Sequence, residues 1–329
     1  MSAHSTITIS DDFWFEDGNI VLIAASVAFK VHRGQLSRHS EIFQGLFELP
    51  QPSAGVDDIY CGTPFVELHD LSQDVAYFLG ALYDGLYFIK TSSEDFACLS
   101  AVLRLSIKYL VEHLRVQCMA RLTRDWPTTL AGWDHREQQA TDDNGRYLPR
   151  ERTCHPIHII HLSIELGITD FLPAAFYDLC RYGPSKIVAG SPSLTDPSST
   201  ITLSTDLLRR TLRGREIGQQ FTACFVLEEI QGRAPSADCL NPDLCIEAFY
   251  YITLNLLRAV GGIACGRDAD PLFTLAQGMG MPDRNDFSDG QKQCGLRMCR
   301  TCKAEFIDVC AKAREEVWGL LGTWFGLEE

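Results

Sequence analysis

The first part of the chain alternates apolar and polar positions in a way that predicts a small sheet. Residues 19–25 (NIVLIAA) form a continuous apolar run rich in β-branched side chains, which is typical of a strand buried on both faces. In residues 27–31 the apolar side chains alternate with Ala28 and Lys30, which predicts a half-buried strand. The short link between these strands predicts a hairpin. A further alternating stretch at 65–69 predicts a third strand.

Helical periodicity appears between and after these strands. A short helix is expected from Leu36, and Ser40 stands where an N-cap would begin a second one. Two prolines directly after that helix end it, and residues 51–62 are expected to form a loop. Three helices are predicted after the third strand, with a break near Tyr109. The apolar residues that carry them are Val75, Phe78, Leu79 and Leu82, then Phe96, Leu99, Leu103, Ile107, Leu110 and Leu114.

The second half of the chain shows helical periodicity alone. A polar stretch without a sustained period, residues 133–152, is the best candidate for a linker between the two halves. Beyond it, helices are predicted at about 157–167, 172–181, 204–230, 243–262 and 300–320.

These patterns predict an α+β protein of two domains, which suits a length of 329 residues. The N-terminal domain, residues 16–125, combines a small three-stranded sheet with helices that cap it. The C-terminal domain, residues 154–329, is expected to be all-α. A tail of residues 1–15 precedes the first domain, and residues 126–153 are expected to link the two.

Charge and apolar content narrow the class of protein. Acidic residues outnumber basic ones by 43 to 29, and a surface of net charge -14 repels nucleic-acid backbones and anionic lipid. The longest apolar stretch, residues 20–29, is too short to cross a bilayer. The first 18 residues are acidic and lack a basic segment, unlike a secretory signal or a transit peptide. We therefore expect a cytoplasmic or nuclear protein that binds neither nucleic acid nor membrane.

Thirteen cysteines raise the question of a metal site. Their odd number and the expected reducing compartment favour free thiols over disulfides. Cys299 and Cys302 are spaced to grip one Zn²⁺, but a structural site needs two further ligands, which Cys239 and Cys245 could supply. The alternative is that these thiols pack as small apolar groups in a helical core. Further thiols that would suit the same site are Cys294 and Cys310.

No motif in the chain predicts catalysis. There is no G-x-S-x-G elbow, P-loop or H-E-x-x-H sequence, and the glycines of residues 261–266 do not follow a strand as a phosphate cradle would. Residues 283–286 resemble part of a calcium loop without its third oxygen ligand. A second potential metal cluster consists of Cys154, His155, His158 and His161, for which a helix start with a polar side is the alternative. We name no catalytic residue and no further cofactor, and we expect a protein that is not an enzyme.

Several N-terminal motifs, taken together, resemble the BTB/POZ family. Residues 29–33 (FKVHR), followed by apolar positions and Ser40, are similar to the F-x-x-H-R pattern of that family. Residues 66–70 and 82–85 (LYDG) resemble its third strand and the end of the helix that follows, and residues 103–118 resemble its helical pair. The rest of the chain is similar to BTB proteins of mushroom-forming fungi, at Trp126-Pro127, residues 155–157, 172–179 and 214–216, and residues 318–327.

This resemblance implies a non-enzymatic adaptor that binds other proteins, often including itself. Some BTB proteins link substrates to the cullin scaffold of a ubiquitin ligase, and others act in transcription or channel assembly. The chain departs from the family in three respects. Its first 18 residues show little of the helical period of the extra N-terminal helix that BTB dimers use, the hydrophobic-x-Glu motif of cullin adaptors is not evident after the second helix, and Asn19 replaces a common Asp.

Three hypotheses about function follow from these observations. In the first, the chain is a protein-interaction adaptor, and the aromatic residues Phe13, Trp14 and Phe15 contact a partner. The same three side chains would alternatively plug the chain's own core. In the second, a zinc ion stabilises a structural or scaffold protein. In the third, the helical half holds an unrecognised active site in a deep polar pocket.

Overall fold

The computed structural model describes residues 7–49, 59–88, 92–144, 146–196, 198–260, 268–285, 287–288 and 293–328. The chain divides into two compact units, and each unit is discontinuous in sequence. The first unit comprises Met1–Asp125 and Arg136–Cys154, and the second comprises Trp126–His135 and His155–Glu329. The protein is therefore a mixed α/β protein, with a sheet near its N-terminus followed by many helices.

The sheet of the first unit has five strands in the order β1-β3-β2-β5-β4. The predicted hairpin is confirmed, since β2 and β3 pair antiparallel, and β5 runs parallel to β2. Every residue of β2 is buried because this strand lies at the centre of the sheet, which explains its continuous apolar run. The strands are β1 (Thr8–Trp14), β2 (Ile20–Ala24), β3 (Val27–Val31), β4 (Ile59–Tyr60) and β5 (Thr63–Leu68).

The prediction of a three-stranded sheet was wrong in its strand count. Strand β1 lies within residues 1–15, which were expected to form a tail, and pairs parallel with β3. As an edge strand it exposes Asp11 and Asp12, so its sequence lacks the apolar alternation that identifies a half-buried strand. Strand β4 has two residues, too few for any periodicity, and lies in the segment expected as a loop. The rest of that segment, residues 51–58, lies outside the described residues.

Five helices accompany this sheet, at the positions that the sequence predicts. Ser40 is the N-cap of α2, as expected, and its Oγ accepts a hydrogen bond from the amide of Phe43. The expected break near Tyr109 falls between α4 and α5, where Leu110 takes a left-handed conformation at φ 53°. The helices are α1 (Arg33–His39), α2 (Glu41–Glu48), α3 (Ser72–Tyr83), α4 (Ser92–Lys108) and α5 (Glu112–Asp125).

Residues 126–153, expected as a linker, contain two helices. These are α6 (Leu130–Gln139) and the single turn α7 (Pro149–Arg152). Trp126 and Trp133, which belong to the second unit, are almost completely buried. This largely polar segment is thus held in place by the burial of two tryptophan side chains. A search for sustained apolar periodicity does not detect such isolated buried residues.

The second unit is built mainly of helices. The five predicted helices are present, and two further ones, α10 and α13, were missed. Helix α10 spans only six residues, too few for a clear period, whereas α13 is at least as long as α9 but contains Gly278 and Gly280, which weaken the helical signal. Helix α11 continues into one π-helical turn that ends at Ile230. The helices are α8 (Pro156–Leu166), α9 (Leu172–Cys180), α10 (Pro184–Ala189), α11 (Thr205–Phe225), α12 (Pro242–Val260), α13 (Pro271–Gly280) and α14 (Arg300–Trp324).

The second unit departs from the expected all-α architecture in two places. Two-residue strands pair antiparallel as β6 (Ser191–Pro192) with β7 (Thr200–Ile201), and as β8 (Phe287–Ser288) with β9 (Gln293–Cys294). All residues of helix α9 except Pro173 are buried, which places this helix at the centre of the unit. Among the helices that the structure describes, none combines the length and the apolar character needed to cross a bilayer.

Candidate metal centre

The four cysteines proposed as metal ligands meet at one point of the second unit. Cys239 lies in the connection that precedes α12, and Cys245 lies in the first turn of that helix. Cys299 is the N-cap of α14, and Cys302 lies in its first turn. All four Sγ atoms lie within 4.8 Å of one another. The tertiary structure thus brings together the two pairs that the sequence separates by more than fifty residues.

The spacing of these sulfurs matches a tetrahedral site. Four thiolates at about 2.3 Å from a zinc ion lie about 3.8 Å from one another. The Sγ atoms of Cys239 and Cys299 are 3.7 Å apart, close to that value. The widest pair, at no more than 4.8 Å, requires a contraction of about 1 Å. The four cysteines can therefore hold a metal ion after small shifts of their side chains.

Backbone amides already point at three of the four sulfurs. The amide of Cys302 donates to Cys299 Sγ at 3.4 Å, and the amide of Cys299 donates to Cys245 Sγ at 3.2 Å. The amide of Ser236 donates to Cys302 Sγ at 3.3 Å. Two of the sulfurs also lie at the N-terminus of α14, where the helix dipole favours negative charge. These groups stabilise thiolates, which are the form of cysteine that binds metals.

The acidity of the four thiols differs strongly. The Cys302 amide is the main cause that lowers the pKa of Cys299 to about 6. Burial raises the pKa of Cys302 to about 12 and also raises the pKa of Cys245. One thiolate is therefore available near neutral pH, and a bound cation would displace the protons of the buried thiols, because a metal ion lowers the pKa of the thiols that coordinate it.

Burial of the cluster suits a structural ion. Cys245 and Cys302 are buried, whereas Cys239 and Cys299 are half-buried, so the cluster has a dry side and a side that solvent reaches. Four protein ligands fill the coordination sphere of a tetrahedral ion and leave no position for a substrate. The arrangement therefore suits an ion that cross-links chain segments rather than a reaction centre.

The second potential metal cluster does not form. His158 is buried and lies 3.3 Å from Ser191 Oγ through its Nε2, whereas His161 Nε2 lies 3.2 Å from the carbonyl of Thr202. Within the described ranges, the four cysteines are the only group of three or more potential ligands that converges. Cys310 is buried elsewhere on α14 and is not a member of that group.

Two weaker motifs of the sequence lie wholly or partly outside the described residues. The glycine-rich residues 261–266 lie outside the described residues, as does Asp286 of the partial calcium loop. The side chain of Asp283, which belongs to the same loop, forms an ion pair with Lys303.

The aromatic residues proposed as partner contacts pack against their own unit. All three are half-buried in and directly after β1. Phe15 stacks on Tyr83 with ring centroids 5.0 Å apart, and Phe13 lies 6.3 Å from the same ring. Trp14 and Tyr60 pack edge to face on the sheet, with ring centroids 6.4 Å apart. It also packs on a buried cluster of Val21, Ile23 and Ala28.

Sequence reasoning missed a buried charged network in the second unit. Tyr177 Oη donates to Asp270 Oδ1 at 2.7 Å, and Arg181 Nη1 donates to Asp270 Oδ2 at 3.2 Å. Asp270 also caps α13 by accepting from the amide of Phe273. Burial, reinforced by the Asp270 charge, raises the pKa of Tyr177 well above its usual value. Only the pairing of these groups identifies the network, because each residue type alone is common on protein surfaces.

Two surface grooves of the helical unit, both lined by described residues, differ from the deep polar pocket that the enzyme hypothesis requires. In the helical unit, one groove of 260 Å³ is lined by Arg209, Arg210, Arg213, Phe325 and Gly326. A second, of 350 Å³, is open and mainly apolar, with Leu208 and Leu212 among its lining residues. Neither set of lining residues places a nucleophile beside a base.

Comparison with known proteins adds no family to these observations. No model of a protein family matches the chain. A search of curated proteins finds no match either. The resemblance to BTB/POZ proteins therefore stays a prediction from the N-terminal motifs.

Proposed function

We propose that this chain is a non-enzymatic protein-interaction adaptor whose helical unit is stabilised by a structural zinc ion. The observation that carries the zinc site is the meeting of four thiols from separate segments within 4.8 Å. Soft thiolate ligands in a tetrahedral set are typical of zinc, and the absence of oxygen ligands argues against magnesium or calcium. The proposed ligands are Cys239, Cys245, Cys299 and Cys302.

Zinc at this position would join three parts of the second unit. It would connect the loop around Cys239 to the first turns of α12 and α14. Such a set of ligands does not exist in the unfolded chain, so the free energy of metal binding becomes free energy of folding. We therefore expect metal removal to destabilise the helical unit.

The zinc proposal is tested with a matched pair of variants. Cys245→Ala removes a proposed ligand, and Cys310→Ala removes an equally buried thiol that lies outside the cluster. We expect about one zinc per wild-type chain, less than half of that in Cys245→Ala, and an unchanged content in Cys310→Ala. Elemental analysis of protein purified from zinc-supplied cells measures the zinc content of all three proteins. A chelator should lower the thermal midpoint of the wild type and of Cys310→Ala, and leave that of Cys245→Ala unchanged.

The opposite result would favour packed thiols. A wild-type chain with little zinc, and with a thermal midpoint that the chelator leaves unchanged, would contradict the proposal. Titration of free thiols on the same sample distinguishes that outcome from a disulfide between Cys239 and Cys299, whose sulfurs are near each other.

The adaptor proposal is supported by the order of elements in the first unit. Strands β2 and β3, helices α1 and α2, strand β5 and helices α3 to α5 follow the order that the BTB/POZ resemblance implies. Residues of different motifs also contact one another: the amide of His32 donates to Tyr83 Oη at 3.0 Å, and Ser40 Oγ donates to the carbonyl of Tyr109 at 2.6 Å. We propose that residues 16–125 form a docking domain for other proteins, for a second copy or for a cullin scaffold.

Capture of partners tests the adaptor proposal. The tagged full-length chain is purified from cells, and bound proteins are identified and quantified against the tag alone. We expect at least one protein to co-elute in a defined ratio, and a cullin among them would assign the chain to a ubiquitin ligase. A folded chain that retains no protein above the tag control would overturn the proposal.

The aromatic residues at the end of β1 require a separate measurement. Since Phe13, Trp14 and Phe15 pack on their own unit, we expect their joint replacement by Ala to lower the thermal midpoint. Ile9→Ala on the same strand is the control, because its side chain is exposed. An unchanged midpoint together with lost partner capture would instead assign the three residues to the interface.

A further inference from the structure

Helix α12 carries an apolar stripe on its outer face. Ile246, Tyr250, Leu254 and Leu257 are 51%, 60%, 42% and 42% exposed. At 100° per residue these four positions fall within about 80° of the helix circumference. The opposite face, which includes Phe249 and Ile252, is buried in the second unit. The stripe is therefore continuous over about 16 Å of helix and separate from the core.

Such a stripe is unusual for a free surface. Single exposed apolar residues are common in proteins, but a contiguous row of four large ones marks an interaction site. Its exposure is conspicuous on a chain with 43 acidic residues and a net charge of -14. The charged residues that flank the stripe indicate which partner binds there.

Two opposite charges lie on one flank of this stripe. Glu247 and Arg258 are both exposed, and their positions differ by only about 20° around the helix axis. They are eleven residues apart, which separates them by about 16 Å along the axis. Within one copy of the helix they are therefore too far apart to form an ion pair.

A second copy in the antiparallel direction would pair every one of these groups. A two-fold axis that crosses the stripe at the level of residue 252 along the helix places Ile246 opposite Leu257 of the second copy, and Tyr250 opposite Leu254. In antiparallel helix pairs the residues of one flank face the same flank of the other helix. Glu247 therefore meets Arg258 of the second copy, and Arg258 meets Glu247 of the second copy. A parallel arrangement would leave the two charges about 16 Å apart along the axis.

We infer that the outer face of α12 is the interface of an antiparallel two-fold homodimer. Each protomer presents the same patch, as a two-fold interface requires. Four partly exposed side chains cover less than the roughly 800 Å² per partner of a standard interface, so the dimer is expected to be weak. This inference does not depend on the zinc site or on the BTB/POZ proposal.

Sedimentation of the full-length chain over a range of concentrations tests the dimer. We expect a monomer–dimer equilibrium that Tyr250→Glu weakens at least tenfold, because the substitution places a charge in the stripe. Ile164→Glu is the control, since Ile164 is similarly exposed on α8 and lies outside the stripe. Its dissociation constant should equal that of the wild type.

Charge exchange tests the antiparallel direction. Glu247→Arg and Arg258→Glu should each weaken self-association, because like charges then face each other across the two-fold axis. An equimolar mixture of the two variants should regain it, since each Arg of one protomer meets a Glu of the other. The double variant should also dimerise like the wild type.

Three results would overturn the inference. The first is a wild-type chain that stays monomeric at all concentrations. That result would overturn the inference even if a different protein covers the stripe. The second is a dimer that Tyr250→Glu leaves intact, and the third is a mixture of charge variants that fails to associate. Circular dichroism of each variant checks that the helical content is unchanged.

Discussion

Ser40 and His158 show how the surroundings of a single polar residue decide its role. Ser40 accepts a hydrogen bond from the amide of Phe43 and donates one to the carbonyl of Tyr109, so its hydroxyl is satisfied in a buried position. The N-cap role is visible in the sequence, whereas the contact with Tyr109 spans 69 residues and is not. His158 was considered as a metal ligand, and burial beside Ser191 makes it a neutral core residue instead.

The buried His158 predicts a dependence of stability on pH. Burial, aided by the nearby His161, lowers the pKa of His158 to about 4 in the folded chain, below the ordinary 6.5. Between these values the unfolded state takes up a proton that the folded state does not, so stability falls as the pH falls from 6.5 to 4. The expected loss is about 3 kcal/mol. Urea unfolding at pH 7 and pH 4.5 measures it.

Other carboxyl groups titrate in the same range, so the comparison between variants is decisive. His158→Gln should reduce the difference between the two pH values, because Gln takes up no proton. His161→Gln should keep most of it, since burial is the larger cause of the pKa shift of His158. Equal pH dependence in the wild type and His158→Gln would contradict the prediction.

Helices α11 and α14 show how packing departs from helix propensity at the scale of elements. Gly214 lies on α11 against the ring of Phe325, which follows α14, and a Cβ at this position would lie 1.9 Å from Phe325 Cε1. The ring cannot move aside easily, because Phe325 is buried and stacks on Phe176 at 5.3 Å. Gly319 on α14 is exposed and has no atom within 4 Å of the corresponding position.

Two glycine substitutions should therefore have opposite effects. Gly214→Ala is expected to lower the free energy of unfolding by about 1 to 3 kcal/mol, because overpacking exceeds the gain in helix propensity. Gly319→Ala is expected to raise it by up to about 1 kcal/mol through propensity alone. Chemical denaturation of both variants measures the changes. A stabilised Gly214→Ala variant would show that Phe325 has room to move.

At the scale of the whole molecule, buried charges connect elements that are distant in sequence. Asp270, at the start of α13, binds Tyr177 of α9 and Arg181 just after that helix. Arg215 of α11 donates to Asp268 and to the carbonyl of Cys180. The network therefore joins three helices of the second unit at its centre. The four-cysteine cluster joins α12 and α14 in the same unit.

Loss of Asp270 should be costly because it removes the buried acceptor of Tyr177 Oη and one of the two carboxylates that pair with Arg181, the other being Asp178. We expect Asp270→Ala to lower the free energy of unfolding by about 3 to 5 kcal/mol, the usual effect of breaking a buried ion pair. Asp206→Ala is the control, because Asp206 pairs with Arg209 and Arg210 on the exposed side of α11 and should change stability far less. Similar losses in the two variants would contradict a central role of the network.

The predictable part of the fold is the part that local periodicity encodes. The hairpin of β2 and β3, the N-cap at Ser40 and the helices of the second unit follow from neighbouring residues. Strand β1 was missed since an edge strand needs no apolar alternation, α10 since it has only six residues, and α13 since Gly278 and Gly280 weaken its helical signal. In the candidate metal site, the spacing of Cys299 and Cys302 was readable from the sequence, as was the availability of Cys239 and Cys245.

The sequence by itself determined the central strands and the helices with a sustained apolar period, because those patterns depend on residues within a few positions of one another. Only the tertiary structure decided that four distant thiols meet, that His158 is buried and that Asp270 binds Tyr177. These contacts join residues tens of positions apart, and many pairings of the same helices would satisfy the same local pattern. The packing of the whole chain selects one of them.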